Sequence, residues 1–199
     1  MKKNDLILVT DMQNVYKKGG KWECPTVDMA TENILKILKE KENFFIQNKE
    51  KEIPFTKKNI IFTRFIANKK AKGVWAAYNK KYKDVNSDPF ANAMMDSFKD
   101  CLKKYPLYTK GVYSSLKIPQ VLKACKKSCR TVITGVISEC CVLSTVFDLI
   151  DHGIYVIYLT DATSGLDKEK EEGTLLMLQG LCPLHLKIMT TKDYLEENQ

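Results

Sequence analysis

Four runs of consecutive apolar or β-branched residues divide this chain: Leu6 to Thr10 (LILVT), Asn59 to Ile66 (NIIFTRFI), Thr131 to Val136 and Ile154 to Leu159. Unbroken runs of this length suit strands buried on both faces of a parallel sheet. A short strand within Pro106 to Ser115 and a last one from Leu184 to Met189 bring the expected number to six. Between them lie stretches of helical period. One starts at a cap on Thr26 or Asp28, with Met29, Ile34, Leu35, Ile37 and Leu38 on one face. Others cover Phe90 to Tyr105, Pro119 to Ser128 with its proline near the start, Cys140 to Asp151 with a stop at His152 and Gly153, and Lys168 to Leu181. Residues 12–25 and the charged connection Lys49 to Lys58 read as loops, and Ala67 to Pro89 is the least regular segment, placed to cover a pocket.

Strands that alternate with helices predict an α/β fold, a mainly parallel six-stranded sheet covered on both faces. If the strand order is the common 3-2-1-4-5-6, strands one and four are neighbours, and Asp11 and Cys141 flank the switch point where such sheets bind ligands. A length of 199 residues with 44% hydrophobic content suits a single domain over residues 1–199. No run approaches the length of a membrane helix, and the N-terminus lacks a signal peptide's apolar core, so no membrane partner and a cytoplasmic location are expected. Seven cysteines, an odd number without metal-like spacing, point to free thiols in a reducing compartment. The net charge of +8 raises nucleic-acid binding, but Arg64 and Arg130 are the only arginines and the lysines are interleaved with acidic residues, which favours solvated helix faces and no nucleic-acid partner. Steering of an anionic substrate stays open.

The candidate chemistry begins in the stretch from Arg130 to Gly165. Cys140 and Cys141 sit where a strand hands over to a helix N-terminus, a position expected to lower a thiol's pKa and make it a nucleophile, although a buried thiol also serves as a small packing residue. Asp11 ends the first strand. Tyr16, Trp22, Arg64, Trp75 and Tyr78 fall in loops or just past strand ends, where side chains can line a cleft, and the Arg64 fork suits a substrate carboxylate.

Asp11-Met12-Gln13-Asn14 after the first strand, Lys110-Gly111 with Tyr113-Ser114, Gly135 six residues before Cys141 with Val142 and Thr145, and LTDATSG at 159–165 occur in one order, and in that order the chain resembles the isochorismatase-like cysteine hydrolases. The resemblance implies a three-layer α/β/α sandwich that hydrolyses C–N bonds in small amides or N-carbamoyl compounds. It singles out Cys141 as nucleophile and leaves Cys140 to packing, with Lys110 supporting the thiolate and Asp11 moving the proton. It implies an oxyanion hole from the backbone N–H groups of Ile137 and Cys141, a cis peptide at Val136 and Ile137, and a homodimer or homotetramer. The nicotinamidase branch adds metal-binding histidines after the second strand. Here that region reads Thr63-Arg64-Phe65-Ile66-Ala67, so no metal and no other cofactor is expected, and nicotinamidase activity is disfavoured. His152 and His185 read as structural. The isochorismatase branch proper lacks the cysteine, so Cys141 also disfavours vinyl-ether hydrolysis. The readings that remain are a metal-independent amidohydrolase with a thioester intermediate, a catalytically silent scaffold of the same fold, and a basic nucleic-acid binder.

Overall fold

The computed structural model describes residues 4–47 and 59–197, so the charged connection expected at Lys49 to Lys58 lies outside the described residues. Six strands, β1 (Asp5–Thr10), β2 (Ile60–Phe65), β3 (Leu107–Lys110), β4 (Arg130–Val136), β5 (Val156–Ser164) and β6 (Leu186–Met189), form one sheet in the order β3-β2-β1-β4-β5-β6. Every pairing is parallel. The sheet is parallel and covered on both faces, as the alternation of elements predicts, and the architecture is the three-layer α/β/α sandwich that the resemblance implies.

The period of two along each strand sorts the core into two layers. Ile7 and Val9 of β1 face one layer with Phe62, Val132 and Ile157, covered by Ile34, Ile37 and Leu38 of α1 (Val27–Gln47) and by Tyr194 of α9 (Thr191–Glu196). Leu6 and Leu8 face the other with Ile61, Ile133 and Tyr158, covered by Val121 and Cys125 of α6 (Pro119–Lys127), Val146 and Leu149 of α7 (Leu143–Asp151) and Leu178 of α8 (Lys168–Gln179). β1 is buried at every position, as a central parallel strand must be.

Three expectations need correction. The helix read over Phe90 to Tyr105 is broken into α4 (Pro89–Asn92), a 3-10 turn at Asp96–Phe98 and α5 (Lys99–Lys104). Tertiary pairing breaks it: residues 93 to 95 leave helical geometry because Ala93 O accepts from Asn14 N at 2.9 Å and Met95 N donates to Met12 O at 2.9 Å, around an antiparallel bridge between Gln13 and Met94. Ala67 to Pro89 is not irregular throughout but carries α2 (Val74–Lys81) and α3 (Lys83–Asn86). The expected helix from Cys140 starts instead with a π-helical turn, Ser138–Val142, ahead of α7. β5 also runs on to Ser164, and α9 was not foreseen although Thr190 and Asp193 form a capping box.

At the N-terminal edge of the sheet, Asp5 of β1 lies beside Arg130 of β4. Its two carboxylate oxygens accept from Arg130 Nε and Nη2, both at 2.8 Å, and Tyr194 Oη donates to it at 3.0 Å. Arg130 also pairs with Glu197 at 2.8 Å, which holds that carboxyl down at about 2. The cluster joins both central strands to α9. Because one partner of a buried pair cannot be removed without stranding the other, Arg130→Met should lower stability by about 3–5 kcal/mol in urea denaturation. The Glu197 contribution is fully present above the ordinary glutamate pKa and is lost as pH falls toward about 2, so part of the acid sensitivity of unfolding should vanish with Arg130.

Candidate active site

Three strands deliver one polar cluster to the carboxyl edge of the sheet. Asp11 follows β1 with φ of 53°, a left-handed conformation that aspartate tolerates better than most residues, and its N–H donates to Thr63 O at 3.0 Å. Lys110 is the last residue of β3 and reaches across β2, its Nζ 5.8 Å from the Phe65 ring centroid. Cys141 sits in the π-helical turn after β4. That turn can come close because Gly135, at φ 99°, lacks a side chain: a Cβ there would meet Thr10 O at 2.0 Å.

Lys110 Nζ donates to Asp11 Oδ2 at 2.5 Å, to Cys141 Sγ at 3.2 Å and to Val112 O at 3.2 Å. The remaining Asp11 oxygen, Oδ1, accepts from Thr63 Oγ1 at 3.0 Å. Thr145 Oγ1 donates to Cys141 O at 2.6 Å and accepts from Ser115 N at 3.0 Å, tying the turn to the loop after β3. The Val136–Ile137 peptide is cis, and Ile137 O accepts from the N–H groups of Cys140 and Val142, both at 3.1 Å. Asp11 is 0% exposed, Lys110 and Cys141 4%.

That burial reverses one expectation. Withdrawal from water pushes the Cys141 thiol well above the ordinary range, and the nearby Lys110 ammonium, which pulls the other way, does not overcome it. Burial also works against the Lys110 ammonium, but Asp11 and Cys141 more than compensate, and its pKa is raised. Burial thus favours a protonated thiol beside the Lys110 ammonium. Moving the sulfur proton onto Asp11 exchanges one counter-charge of Lys110 for another and leaves the net charge of the cavity unchanged.

An aromatic roof closes over this cluster. Trp75 meets Phe65, Tyr78 and Tyr113 with centroids 6.0, 5.4 and 4.8 Å away; Tyr78 continues to Tyr82 at 4.8 Å, Tyr82 to Trp22 at 5.4 Å and Trp22 to Tyr16 at 6.1 Å. Burial pushes the Tyr16 phenol up, and it does the same to the Tyr78 and Tyr113 phenols. Phe65 lies against Lys110, and Tyr16, Trp22, Trp75 and Tyr78 join it ring to ring. Arg64 does not: it follows Thr63 on β2, so its side chain leaves the opposite face, where Nε donates to Thr109 Oγ1 at 3.0 Å. Sequence reading gave no site role to Thr63, Phe65 or Tyr82, and Tyr113 entered only as part of the motif with Lys110. The spacing of Trp75, Tyr78 and Tyr82, which repeats every three to four residues, was the available sign of a helix with an aromatic face.

The groups around Asp11 do not fit a metal ion. Its oxygens are taken by an ammonium and a hydroxyl, and among the described residues no group of three or more His, Cys, Asp or Glu side chains is placed to hold one. His152 lies against Asp148 at the end of α7, with Nδ1 2.8 Å from Asp148 O. No helix among the described residues is long and apolar enough to cross a membrane.

The family model of the isochorismatase domain matches residues 5–193. Among solved structures, an isochorismatase-like hydrolase from Alkaliphilus metalliredigens is 19% identical with a TM-score of 0.69, covering 98% of this chain and 99% of that one. A cysteine hydrolase from Pseudomonas syringae pv. phaseolicola 1448A is 16% identical with a TM-score of 0.74, covering 97% and 91%. A pyrazinamidase/nicotinamidase from Streptococcus mutans UA159 is 16% identical with a TM-score of 0.68, covering 93% and 99%. No curated protein matches the chain.

The charge assignment has a spectroscopic consequence. An acid whose pKa is raised keeps its proton to higher pH, so thiolate absorbance should be the same in the wild type and in Cys141→Ala through about pH 9, above the ordinary thiol pKa of about 8.5. A difference that already grows between about pH 7 and 9 would show that Cys141 ionises freely. Both raised pKa values also make stability fall as pH rises, first through the thiol range and then through the lysine range.

Proposed function

The chain belongs to the isochorismatase domain family, and from that premise we propose that it is a cysteine hydrolase that cleaves the C–N bond of a small amide or N-carbamoyl compound through a thioester on Cys141. One observation carries the reading: a single buried ammonium, Lys110, lies within hydrogen-bond reach of both the Asp11 carboxylate and the Cys141 sulfur.

Asp11 accepts the proton from Cys141 as the sulfur attacks the substrate carbonyl, and Lys110 passes its counter-charge from the carboxylate to the developing thiolate. The C–S bond forms as the carbonyl π electrons move to oxygen. Backbone N–H groups of Ile137 and Cys141 serve as donors to that oxyanion. When it collapses, the C–N bond breaks and Asp11 returns the proton to the departing amine. Water then attacks the thioester with Asp11 as base, releasing the acid and restoring the thiol. No step needs a metal. The roof of Trp75, Tyr78 and Tyr113 excludes bulk water, which strengthens every charge interaction inside, and it has to open for substrate to enter.

Ammonia release from a panel of primary amides and N-carbamoyl compounds tests this reading. Cys141→Ala should reduce hydrolysis to background, Cys140→Ala should retain it, and Asp11→Asn should lower kcat/KM by about 10²- to 10⁴-fold, the usual worth of a positioned acid–base group. Iodoacetamide should label a cysteine that is lost in Cys141→Ala and kept in Cys140→Ala. Hydrolysis that persists in Cys141→Ala would overturn the assignment. A protein that turns over no member of the panel and takes no label on Cys141 would be the silent scaffold.

A further inference from the structure

Helix α2 has two working faces, and only one serves the cysteine site. Trp75, Tyr78 and the following Tyr82 form the roof. Ala76, Asn79 and then Lys83 lie one residue further round, on the wall of a separate cavity of about 590 Å³ between α2, α3 and the segment after β2. Neither Cys141, Asp11, Lys110 nor any roof aromatic lines it. Its size falls within the usual range of small-molecule sites, about 300–1,000 Å³.

The polar wall is one-signed. Lys69 and Lys83 line it together with Asn68, Asn79, Asn86, Asn92 and Ser87, and among the described residues no carboxylate-bearing residue does. Neither lysine forms an ion pair among the described residues. Lys69 and Lys83 belong to the run 67–83, which holds six lysines (69, 70, 72, 80, 81 and 83) and no acidic residue, against a net charge of +8 for the whole chain. Asn79 Nδ2 donates to Asn68 O at 3.0 Å, but Asn79 Oδ1 and both side-chain amide atoms of Asn86 have no partner among the described residues, so Asn86 gives up no hydrogen bond to them by turning toward a ligand. Two uncompensated ammonium groups match a dianion better than a monoanion, and a phosphomonoester carries about −1.5 to −2 at neutral pH. The adjacent amides and hydroxyl suit a hydroxylated or heterocyclic body.

We propose that this cavity is a second ligand site, separate from Cys141, that binds a phosphate-bearing small molecule through Lys69 and Lys83. The same chemistry is met by a sugar phosphate or a mononucleotide, and the probes separate the two.

Calorimetric titration of the protein with inorganic phosphate, ribose 5-phosphate and adenosine 5′-monophosphate tests it, with tryptophan emission, to which Trp75 on the adjacent face of α2 contributes, as a second readout. At least one organic phosphate should bind saturably, and the double variant Lys69→Met/Lys83→Met should bind it at least about tenfold more weakly. A variant of equal charge loss elsewhere, Lys126→Met/Lys127→Met on α6, and Cys141→Ala should each bind it within about twofold of the wild type. Preference for the nucleotide or for the sugar phosphate identifies the source. The proposal fails if no probe saturates below about 10 mM, if the two lysine variants weaken binding equally, or if Cys141→Ala abolishes it. Since Cys141→Ala is inactive under the hydrolase reading, loss of hydrolysis and loss of phosphate binding are separately visible.

Discussion

The ammonium of Lys110 is the constraint around which the rest is arranged. It is 4% exposed and held 2.5 Å from Asp11, and a cation so buried persists only with a counter-charge in contact. Asp11 supplies it at rest. With the carboxylate and a thiolate both ionised, the cavity would hold one positive and two negative charges, which is why burial keeps the Cys141 proton in place. Under the proposed hydrolase reading, reactivity then depends on proton transfer inside the cluster rather than on a sulfur ionised in advance. A helix N-terminus alone would not produce this behaviour: the dipole contribution is small beside the cost of an unpaired charge removed from water.

Holding three groups from three strands to within a few tenths of an ångström requires a rigid sheet, and β1 provides its axis. The strand carries a charged side chain at one end, Asp5, and hands over to another, Asp11, at its far end. Asp5 is locked to Arg130 across the β1–β4 pairing, while Asp11 faces the turn that leaves β4. The relative height of β1 and β4 is therefore pinned at the edge away from the site, and the alternating Leu, Ile and Val residues between carry that register through both core layers.

Legibility in the sequence followed the range of the interactions. The central strands were readable because burial on both faces writes itself as an unbroken apolar run, and the ends of those runs exposed Asp11 and the cysteine pair. Lys110 carried no local sign. Its strand has only four residues, Leu107–Lys110, with a mixed burial pattern, and only the resemblance separated it from the other lysines. The break in the helix after Phe90 was unreadable because its cause is a bridge to Gln13, distant in sequence. Arg64 was readable and misread: a residue next to Thr63 on a strand must point away from whatever Thr63 faces. The thiol's charge state was misjudged because a helix terminus is visible in sequence whereas complete desolvation is a tertiary fact.

Under the proposed hydrolase reading, the roof explains how a site so fully withdrawn from water can still take a substrate. α2 has no buried residue and rests on the sheet through aromatic faces, and its N-terminal flank, Gly73 at φ 59°, has open space around it. Aromatic pairs contribute only about 0.5–1.5 kcal/mol each beyond the area they bury, so lifting a short helix held by a few of them is cheap beside disturbing the core strands. The helix in the roof has no buried residue, while Asp11, Lys110 and Cys141 are buried. Under the proposed reading, that contrast permits both demands of the site, a dry interior during chemistry and an open path before and after it, without any change in the sheet that positions Asp11, Lys110 and Cys141.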